Sequence, residues 1–179
     1  MIDKYSPELI EKGRKIKLLI LDVDGVLTDG RIIYGNSGEE TKNFDVNDGL
    51  GITLIRRSGI KCVILTAQGA PLVKKRAREL KIDKVYQNFH YKIEALSKIK
   101  KKFKVKENEI CFVGDDLVDI PILKRVGLAV CPQNAMEEVK AFAHYVTEKP
   151  GGCGAVREIC NFILKAQGTW EKVTSRYFE

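Results

Sequence analysis

Short apolar segments alternate with amphipathic segments along most of this chain of 179 residues. The apolar segments have the length of buried strands, and the amphipathic segments carry apolar residues at the 3.6-residue spacing of helices. This alternation predicts an α/β fold with a Rossmann-like, mainly parallel sheet and helices on both faces. The predicted strands are 18–23, 61–65, 84–86, 110–113, 128–130 and 143–146, and the predicted helices are 50–58, 71–80, 91–103, 117–126, 135–140 and 155–166.

One segment departs from the alternation. Residues 31–45 hold two short strand-like pieces around a Gly-Asn-Ser-Gly sequence, which is typical of a β-hairpin. We expect the hairpin to project from the carboxyl edge of the sheet. The length favours a single domain over 1–179, in which the tail 167–179 lacks a core pattern and is expected to be mobile or to contact a neighbouring subunit.

The composition argues against several classes of protein. The apolar runs are too short to cross a bilayer, and the charged N-terminal segment lacks a signal-peptide core. The five cysteines are odd in number and lack metal-binding spacing, which predicts free thiols in a cytoplasmic protein. The net charge of +7 fits either nucleic-acid binding or a solvated surface that attracts small anions. Because the basic run 98–106 has no recognition motif around it, we expect neither nucleic-acid nor membrane partners.

The strongest motif is the segment from Leu18 to Gly30, LLILDVDGVLTDG. Its apolar strand ends in Asp22 and Asp24, and residues two apart in a strand face the same side. Both carboxylates therefore reach one site at the carboxyl end of the strand, where open α/β sheets bind ligands. Carboxylates at the end of a buried strand are costly unless they are paired or bound to a metal, so we interpret this pair as functional.

A second acidic cluster follows a later strand. The segment VGDDLVDIP at 113–121 places Asp115, Asp116 and Asp119 directly after that strand. Two acidic strand ends in one sheet favour a hard cation, and Mg²⁺ binds a few carboxylates together with a substrate phosphate. Asp119 lies one helical turn beyond Asp115 and is expected to brace the site. Asp116 either braces it as well or caps the following helix.

Thr66 and Lys92 extend the pattern with less specificity. Thr66 follows the second main strand, where its hydroxyl either binds a phosphoryl oxygen or serves as an ordinary helix cap. Pro71 suits the first turn of the next helix, whose backbone N–H groups are suited to an anion. Lys92 opens another helix, and its type and position alone fit a solvated lysine equally well.

In chain order these residues form Asp-x-Asp, then Thr, then Lys, then Gly-Asp-Asp-x-x-x-Asp. The order closely resembles the four motifs of the haloacid dehalogenase superfamily, and the resemblance covers nearly the whole chain. It implies a magnesium-dependent phosphatase in which Asp22 is the nucleophile and Asp24 the general acid and base. It also implies that Asp22, the Asp24 carbonyl and Asp115 bind Mg²⁺, while Thr66 and Lys92 bind the phosphate oxygens.

The stretches between the first three motifs are too short to hold a cap domain. An enzyme without a cap must accept a large substrate or take its cover from another subunit. The chain is similar to the capless 3-deoxy-D-manno-octulosonate 8-phosphate phosphatases of lipopolysaccharide synthesis in the segments YGNSGEETKNFDVNDGLGI, KKRARELKI, FVGDDLVD and PGGCGAVREICNFIL. This resemblance implies a sugar-acid phosphate substrate and a homotetramer in which neighbouring subunits cover each site. It implies substrate contacts at Asp24, Asp45, Val46, Asn47, Asp48, Gly49, Arg76 and Lys92.

The chain departs from this family after the second motif. Members often have glycine and arginine there, and this chain has Ala67 and Gln68. Gln68 is able to hydrogen-bond a substrate but carries no charge, so the contact to a substrate carboxylate is in question. The residues themselves leave other readings open, because 47–49 also fits an ordinary helix start and Arg76 a solvent-facing arginine. Arg157 fits a substrate contact or, preferably, a charge on a helix surface.

Three other functions fit parts of the pattern. A signalling receiver domain also phosphorylates an aspartate beside magnesium, lysine and threonine, but its acidic pair comes first and its phosphorylated aspartate later. A catalytically idle scaffold is not favoured, because every catalytic position is filled. A phosphatase for another substrate, such as a nonulosonate 9-phosphate or a nucleotide, remains a serious alternative, since a fold does not fix the substrate.

Overall fold

The computed structural model describes residue 2 and residues 4–179. Its main sheet has six parallel strands, and a separate two-stranded sheet forms a hairpin. In chain order the strands are β1 (Leu18–Leu21), β2 (Ile33–Tyr34), β3 (Glu40–Thr41), β4 (Lys61–Leu65), β5 (Lys84–Tyr86), β6 (Ile110–Val113), β7 (Leu128–Cys131) and β8 (Tyr145–Val146). The order in the main sheet is β5-β4-β1-β6-β7-β8, which places the two strands with acidic ends, β1 and β6, side by side near the centre.

Helices cover both faces of this sheet. They are α1 (Pro7–Arg14), α2 (Val46–Arg57), α3 (Pro71–Glu79), α4 (Ile93–Phe103), α5 (Ile120–Leu123), α6 (Glu137–Lys140), α7 (Ala155–Ala166) and α8 (Trp170–Thr174). One hydrophobic core includes residues of α1, α2, α3 and α7. The other includes residues of α4, α5 and α6. The predicted parallel sheet with helices on both faces is therefore confirmed.

The central strand β1 explains why the sheet needs both layers. Its residues alternate between the two cores, with Leu19 and Leu21 on one side and Leu18 and Ile20 on the other. All four are completely buried. Parallel strands buried on both faces consist of continuous apolar residues, as this strand does. The strand is thus held rigidly, and so are the acidic residues that follow it.

The hairpin lies where the sequence predicts it. Its strands β2 and β3 pair antiparallel, with Ile33 opposite Thr41 and Tyr34 opposite Glu40. Ile33 and Tyr34 are exposed, so the hairpin does not contribute these side chains to either core. It joins β1 to α2 and brings the residues that follow β3 back toward the end of β1.

Several elements differ from the sequence-based expectation. The tail 167–179 contains α8 and a 3₁₀ turn at Ser175–Tyr177, and Val173 and Thr174 of α8 are buried. The helix expected over 117–126 is a 3₁₀ turn, Leu117–Asp119, followed by the short α5. Helix α2 begins at Val46, four residues before the expected start, because Asp45 caps it.

Within residue 2 and residues 4–179, no helix is long and apolar enough to span a membrane.

Candidate active site at the carboxyl edge of the sheet

The two acidic segments meet because β1 and β6 are neighbours in the sheet. Their parallel register pairs Leu21 with Val113, so the residues after both strands emerge side by side. The Asp22 N–H donates to the Val113 carbonyl at 3.1 Å, which extends the pairing by one step. Asp22 is 6% exposed, and its side chain accepts a hydrogen bond from the Val23 N–H at 2.7 Å. The expected proximity of the two clusters is therefore found.

Lys92 lies at the centre of the cluster. Its Nζ is 2.6 Å from Asp22 Oδ2 and 2.6 Å from Asp119 Oδ1, and the side chain is almost fully buried. Burial alone lowers the pKa of Lys92, but its attraction to Asp22 and Asp119 outweighs burial and raises the pKa above its ordinary value. The lysine is therefore a fixed positive charge and not a solvated surface group.

Asp119 uses both of its carboxylate oxygens within the protein. Oδ1 accepts from Lys92, and Oδ2 accepts from the N–H groups of Asp115 at 2.9 Å and Asp116 at 3.2 Å. Asp119 is completely buried. It orients Lys92 and the backbone of the acidic loop, which agrees with a bracing position. Asp116 is exposed, and its side chain caps the 3₁₀ turn by accepting from the Leu117 N–H at 2.7 Å.

Asp115 approaches the loop that follows β1. A Cβ built on Gly25 would lie 1.9 Å from Asp115 Oδ2, and Gly25 has a φ of +80°, so glycine is required there. Burial, reinforced by the negative charges of Asp22 and Asp119, raises the pKa of Asp115 to about 8. Burial and Asp119 likewise raise the pKa of Asp22 to about 7, although Lys92 opposes this shift. Several carboxylates thus share one site that Lys92 only partly neutralises.

These carboxylates suit a divalent cation. One ligand oxygen from each of Asp22, Asp115 and Asp119 lies within 4.8 Å of the others. Asp115 Oδ1 is buried and has no hydrogen-bond partner among the residues that the structure describes. Asp22 and Asp115 line the cleft, whereas Asp119 is completely buried behind it, so Asp22 and Asp115 are the side chains placed to bind a metal. An all-oxygen set of few carboxylates fits Mg²⁺, which keeps several waters.

Asp24 is one-third exposed, and a lysine that the motifs did not identify holds it. Lys42, one residue beyond β3, donates from Nζ to Asp24 Oδ1 at 2.6 Å. The same Nζ lies 2.8 Å from Glu40 Oε1, and the Lys42 side chain is only 1% exposed. The whole sequence has 31 lysines and arginines, and Lys42 lies in a hairpin where a basic residue is ordinarily solvated, so nothing in the sequence distinguished it.

Thr66 reaches the same edge from β4. It is 2% exposed, and its Oγ1 accepts from the Gln68 N–H at 3.3 Å, which leaves the hydroxyl proton free to donate to a ligand. A cavity of about 310 Å³ opens here. It is lined by Asp22, Asp24, Gly25, Gly30, Thr66, Ala67, Gln68, Lys92, Asp115, Asp116 and Val118. The catalytic and metal-binding residues expected from the sequence therefore share one cleft with Gln68.

The residues expected to bind the rest of a substrate lie outside this cavity. Asp45 caps α2 by accepting from the N–H groups of Asn47 and Asp48. Val46 is 81% exposed, and Asn47 is also exposed. Asn47 lines a separate groove together with Arg157. Within one chain, these positions do not contact the acidic cleft.

Asp48, Gly49 and Arg76 have partners inside the protein. Asp48 is 1% exposed and accepts from the Arg157 N–H at 2.7 Å, which caps the start of α7. Arg76 donates to the Asp45 carbonyl at 3.4 Å and pairs with Glu79. A Cβ on Gly49 would lie 2.6 Å from Arg76 Nη2, so this glycine makes room for the arginine. The three residues hold the start of α2 in place.

A second unpredicted residue, Asn134, supports the loop after β1. Its Nδ2 donates to the Gly25 carbonyl at 3.3 Å, and its Oδ1 accepts from the Gly151 N–H at 2.6 Å. A Cβ on Gly151 would lie 1.8 Å from the Gly25 carbonyl oxygen. The glycine-rich segment before α7 therefore packs directly against the loop after β1.

Comparison with known proteins agrees with this geometry. The sequence model of haloacid dehalogenase-like hydrolases matches residues 73–159. The 3-deoxy-D-manno-octulosonate 8-phosphate phosphatase of Salmonella typhimurium is 45% identical over 91% of this chain and 87% of that protein. The fold superposes on a probable yrbI family phosphatase from Pseudomonas syringae with a TM-score of 0.95 and 39% identity, covering 97% of this chain and 99% of that chain.

A third comparison concerns a structure with ligands. The 3-deoxy-D-manno-octulosonate 8-phosphate phosphatase of Moraxella catarrhalis, solved with a magnesium ion, a phosphate ion and a KDO molecule, is 39% identical. It superposes with a TM-score of 0.94 over 97% of this chain and 99% of that chain. Similarity of this extent covers the whole sheet and both acidic loops. The chain therefore belongs to the family of 3-deoxy-D-manno-octulosonate 8-phosphate phosphatases within the haloacid dehalogenase-like hydrolases.

Proposed function

We propose that this enzyme hydrolyses 3-deoxy-D-manno-octulosonate 8-phosphate to the free sugar acid and phosphate, as a step of lipopolysaccharide biosynthesis. The observation that carries the proposal is the buried arrangement of Asp22, Lys92 and Asp115 around one cleft, in a chain 45% identical to a phosphatase of that name. The cleft is built for a phosphate group, because its fixed lysine and its acidic metal site together match a dianion bound through a cation.

In the first step an Asp22 carboxylate oxygen attacks phosphorus, and the bond from phosphorus to the leaving oxygen breaks. The Val23 N–H and Lys92 hold the attacking group. Asp24 donates its proton to the leaving alcohol and, in the second step, removes a proton from the water that hydrolyses the aspartyl-phosphate. Thr66 donates its hydroxyl proton to a phosphoryl oxygen.

Asp22 and Asp115, with the Asp24 backbone carbonyl, would hold Mg²⁺. When bound, the ion neutralises charge between the carboxylates and the phosphate and orients the phosphate for in-line attack. Lys92 is already held by Asp22 and Asp119 without substrate, so its charge offsets the anionic transition state with little reorganisation.

The substrate assignment has one competing candidate, a different sugar-acid phosphate such as a nonulosonate 9-phosphate. The observation that favours testing it is Gln68, which lines the cleft as a neutral side chain where arginine is common in the family. An arginine forms a bidentate pair with a carboxylate, and an amide does not. The chemistry at phosphorus is the same for both substrates.

The enzyme also needs a cover for its cleft. Between Asp22 and Thr66 the described chain holds only the hairpin, α2 and β4, so no cap domain closes the site. We therefore assign it a homotetramer in which a neighbouring subunit covers each cleft and brings substrate contacts. The exposed hairpin residues Ile32, Ile33 and Tyr34 support such a contact. A cytoplasmic location is supported by the free buried thiols, for example Cys62 and Cys111.

The test is phosphate release from a panel of sugar phosphates by the purified protein, with magnesium and with EDTA. We expect a strong, magnesium-dependent preference for 3-deoxy-D-manno-octulosonate 8-phosphate. Preference for a nonulosonate 9-phosphate would transfer the assignment to that substrate and leave the mechanism in place. Absence of magnesium-dependent release from every compound would refute the phosphatase assignment itself, provided that circular dichroism shows the protein folded.

A further inference from the structure

Lys42 is a buried cation whose contacts the motifs do not account for. Its ammonium group lies 2.6 Å from Asp24 Oδ1 and 2.8 Å from Glu40 Oε1. The side chain is 1% exposed, whereas the Asp24 side chain is 33% exposed and faces the cleft. A buried ammonium is costly unless it is paired, and this pairing is directed at the residue proposed as acid and base. Lys42 therefore fixes one oxygen of Asp24.

The chemistry of the pair distinguishes the two oxygens of Asp24. An ammonium group only donates hydrogen bonds, so Oδ1 serves as the acceptor for Lys42. Oδ2 is then the oxygen left to exchange a proton with the leaving alcohol. The ion pair also limits rotation of the carboxyl group about its bond to Cβ, because rotation would separate Oδ1 from the lysine.

We propose that Lys42 is a positioning residue for the reaction: it anchors Asp24 Oδ1 and thereby presents Oδ2 to the leaving oxygen as the proton donor. This inference rests on the proposed function of Asp24. In the first step the proton leaves Oδ2 for the alcohol oxygen as the phosphorus–oxygen bond breaks, and in the second step Oδ2 takes a proton from water. Lys42 neither gains nor loses a proton in either step.

The role has a measurable signature, because substrates differ in their need for a proton. The alcohol of a sugar phosphate leaves only when it is protonated, whereas p-nitrophenolate leaves as a stable anion. With enzyme in excess, the first turnover isolates the acid step, since release of the alcohol or of p-nitrophenolate precedes the hydrolysis in which Asp24 acts as base. A defect in proton donation therefore slows the sugar phosphate selectively.

The experiment compares Lys42→Met, Lys42→Arg and the matched control Lys74→Met, which changes an exposed lysine of α3. The substrates are 3-deoxy-D-manno-octulosonate 8-phosphate and p-nitrophenyl phosphate. For Lys42→Met we expect the first-turnover rate on the sugar phosphate to fall at least tenfold, a part of the roughly 10²–10⁴-fold that general acid catalysis contributes. We expect p-nitrophenolate release to change less than about threefold, Lys42→Arg to recover part of the loss, and the control to match the wild type.

Two outcomes would overturn the inference. Equal losses on both substrates would show that Lys42 only supports the fold of the loop, and unchanged rates on both would show that it has no role; either result overturns the proposal. Thermal unfolding of each variant shows whether it is folded, and Lys42→Arg keeps the test decisive if Lys42→Met is not. The variant Asp24→Asn separates the two proposals, because a loss that is not selective there would refute the acid role of Asp24 independently of Lys42.

Discussion

Asp22 and Lys92 form an ion pair in the cleft, but their charges affect the stability of the folded protein in different ways. Asp22 is a buried carboxylate whose pKa is raised to about 7, so its ionised form is held at a cost in folding energy. Lys92 supplies the positive charge that offsets the repulsion between the neighbouring carboxylates. Substitutions at these two positions should therefore have opposite effects on stability and the same effect on activity.

The variant Asp22→Asn should lose phosphate release by several orders of magnitude, because an amide does not attack phosphorus. Its stability should equal or exceed that of the wild type, since a neutral group replaces a desolvated charge and Lys92 keeps Asp119 as partner. Urea unfolding and a phosphate-release assay on the same preparation measure both effects. Near-normal turnover in this variant would contradict the nucleophile assignment.

The variant Lys92→Met should lose both activity and stability. Without the ammonium group, the carboxylates of Asp22, Asp115 and Asp119 face one another with no counter-charge in the absence of metal. Removing one partner of a buried ion pair costs about 3–5 kcal/mol, so we expect a loss of this order in the free energy of unfolding measured with EDTA. Adding magnesium should recover part of the loss. The control is Lys98→Met, an exposed position on α4, and a loss there of equal size would argue against the explanation.

Residue types and order were enough to predict the acidic centre, but not the ion pair on Asp24. Asp22, Asp24 and Asp115 stand directly after apolar runs, and the pleat of a strand determines where such residues point. Lys42 follows a two-residue strand in an exposed hairpin, and its burial depends on how the hairpin folds back over the loop after β1. Because Lys42 reaches Asp24 through a tertiary contact, its burial leaves no periodic pattern in the sequence.

At the scale of the elements, strands were predicted more accurately than helices. The strands β4, β5 and β6 have the expected bounds, and β6 is a continuous apolar run that is buried throughout. Helix α1 was not predicted; only Leu9 and Gly13 of its eight residues are buried. Helix α8 has five residues, too few to establish a period.

The link between α2 and α7 is a pH-sensitive contact between elements outside the cleft. Asp48, in the first turn of α2, accepts from the Arg157 N–H at the start of α7. Burial raises the pKa of Asp48 from 3.8 to about 6 in the folded protein. Between those pH values the folded protein binds more protons than the unfolded chain, so the stability from Asp48 decreases as pH rises and is constant above about pH 7.

Replacing Asp48 by asparagine tests this link. The wild type should lose about 1 kcal/mol of unfolding free energy relative to Asp48→Asn between pH 5 and pH 7.5, since one pKa unit corresponds to about 1.4 kcal/mol. Urea unfolding of both proteins at the two pH values gives the difference directly. Asp48→Ala serves as the comparison, because it removes the cap of α7 and should cost about 1 kcal/mol more than the asparagine variant. Parallel pH profiles for wild type and Asp48→Asn would exclude the titration of Asp48 as the cause.

At the scale of the whole molecule, a cleft open to solvent and an exposed apolar hairpin occur together. The side chain of Tyr34 is 70% exposed and that of Ile32 is 55% exposed, which is costly for a monomer in water. The same hairpin carries Lys42, which holds Asp24. An assembly that buries the hairpins would therefore cover apolar surface and stabilise the segment that carries Lys42.

Burial of the hairpins in an assembly predicts both the mass of the assembly and the activity of a hairpin variant. Equilibrium sedimentation at micromolar concentration should give four times the mass of one chain for the wild type. The variant Tyr34→Glu places a charge in the expected contact, so it should sediment as a smaller species and hydrolyse sugar phosphates with a lower kcat/KM, because each cleft loses its cover. Phe142→Glu, at an exposed position after α6, is the matched control and should behave as the wild type. A wild-type protein that sediments as a monomer would remove the neighbouring subunit from the site, and the cleft of a single chain would then have to bind the whole substrate.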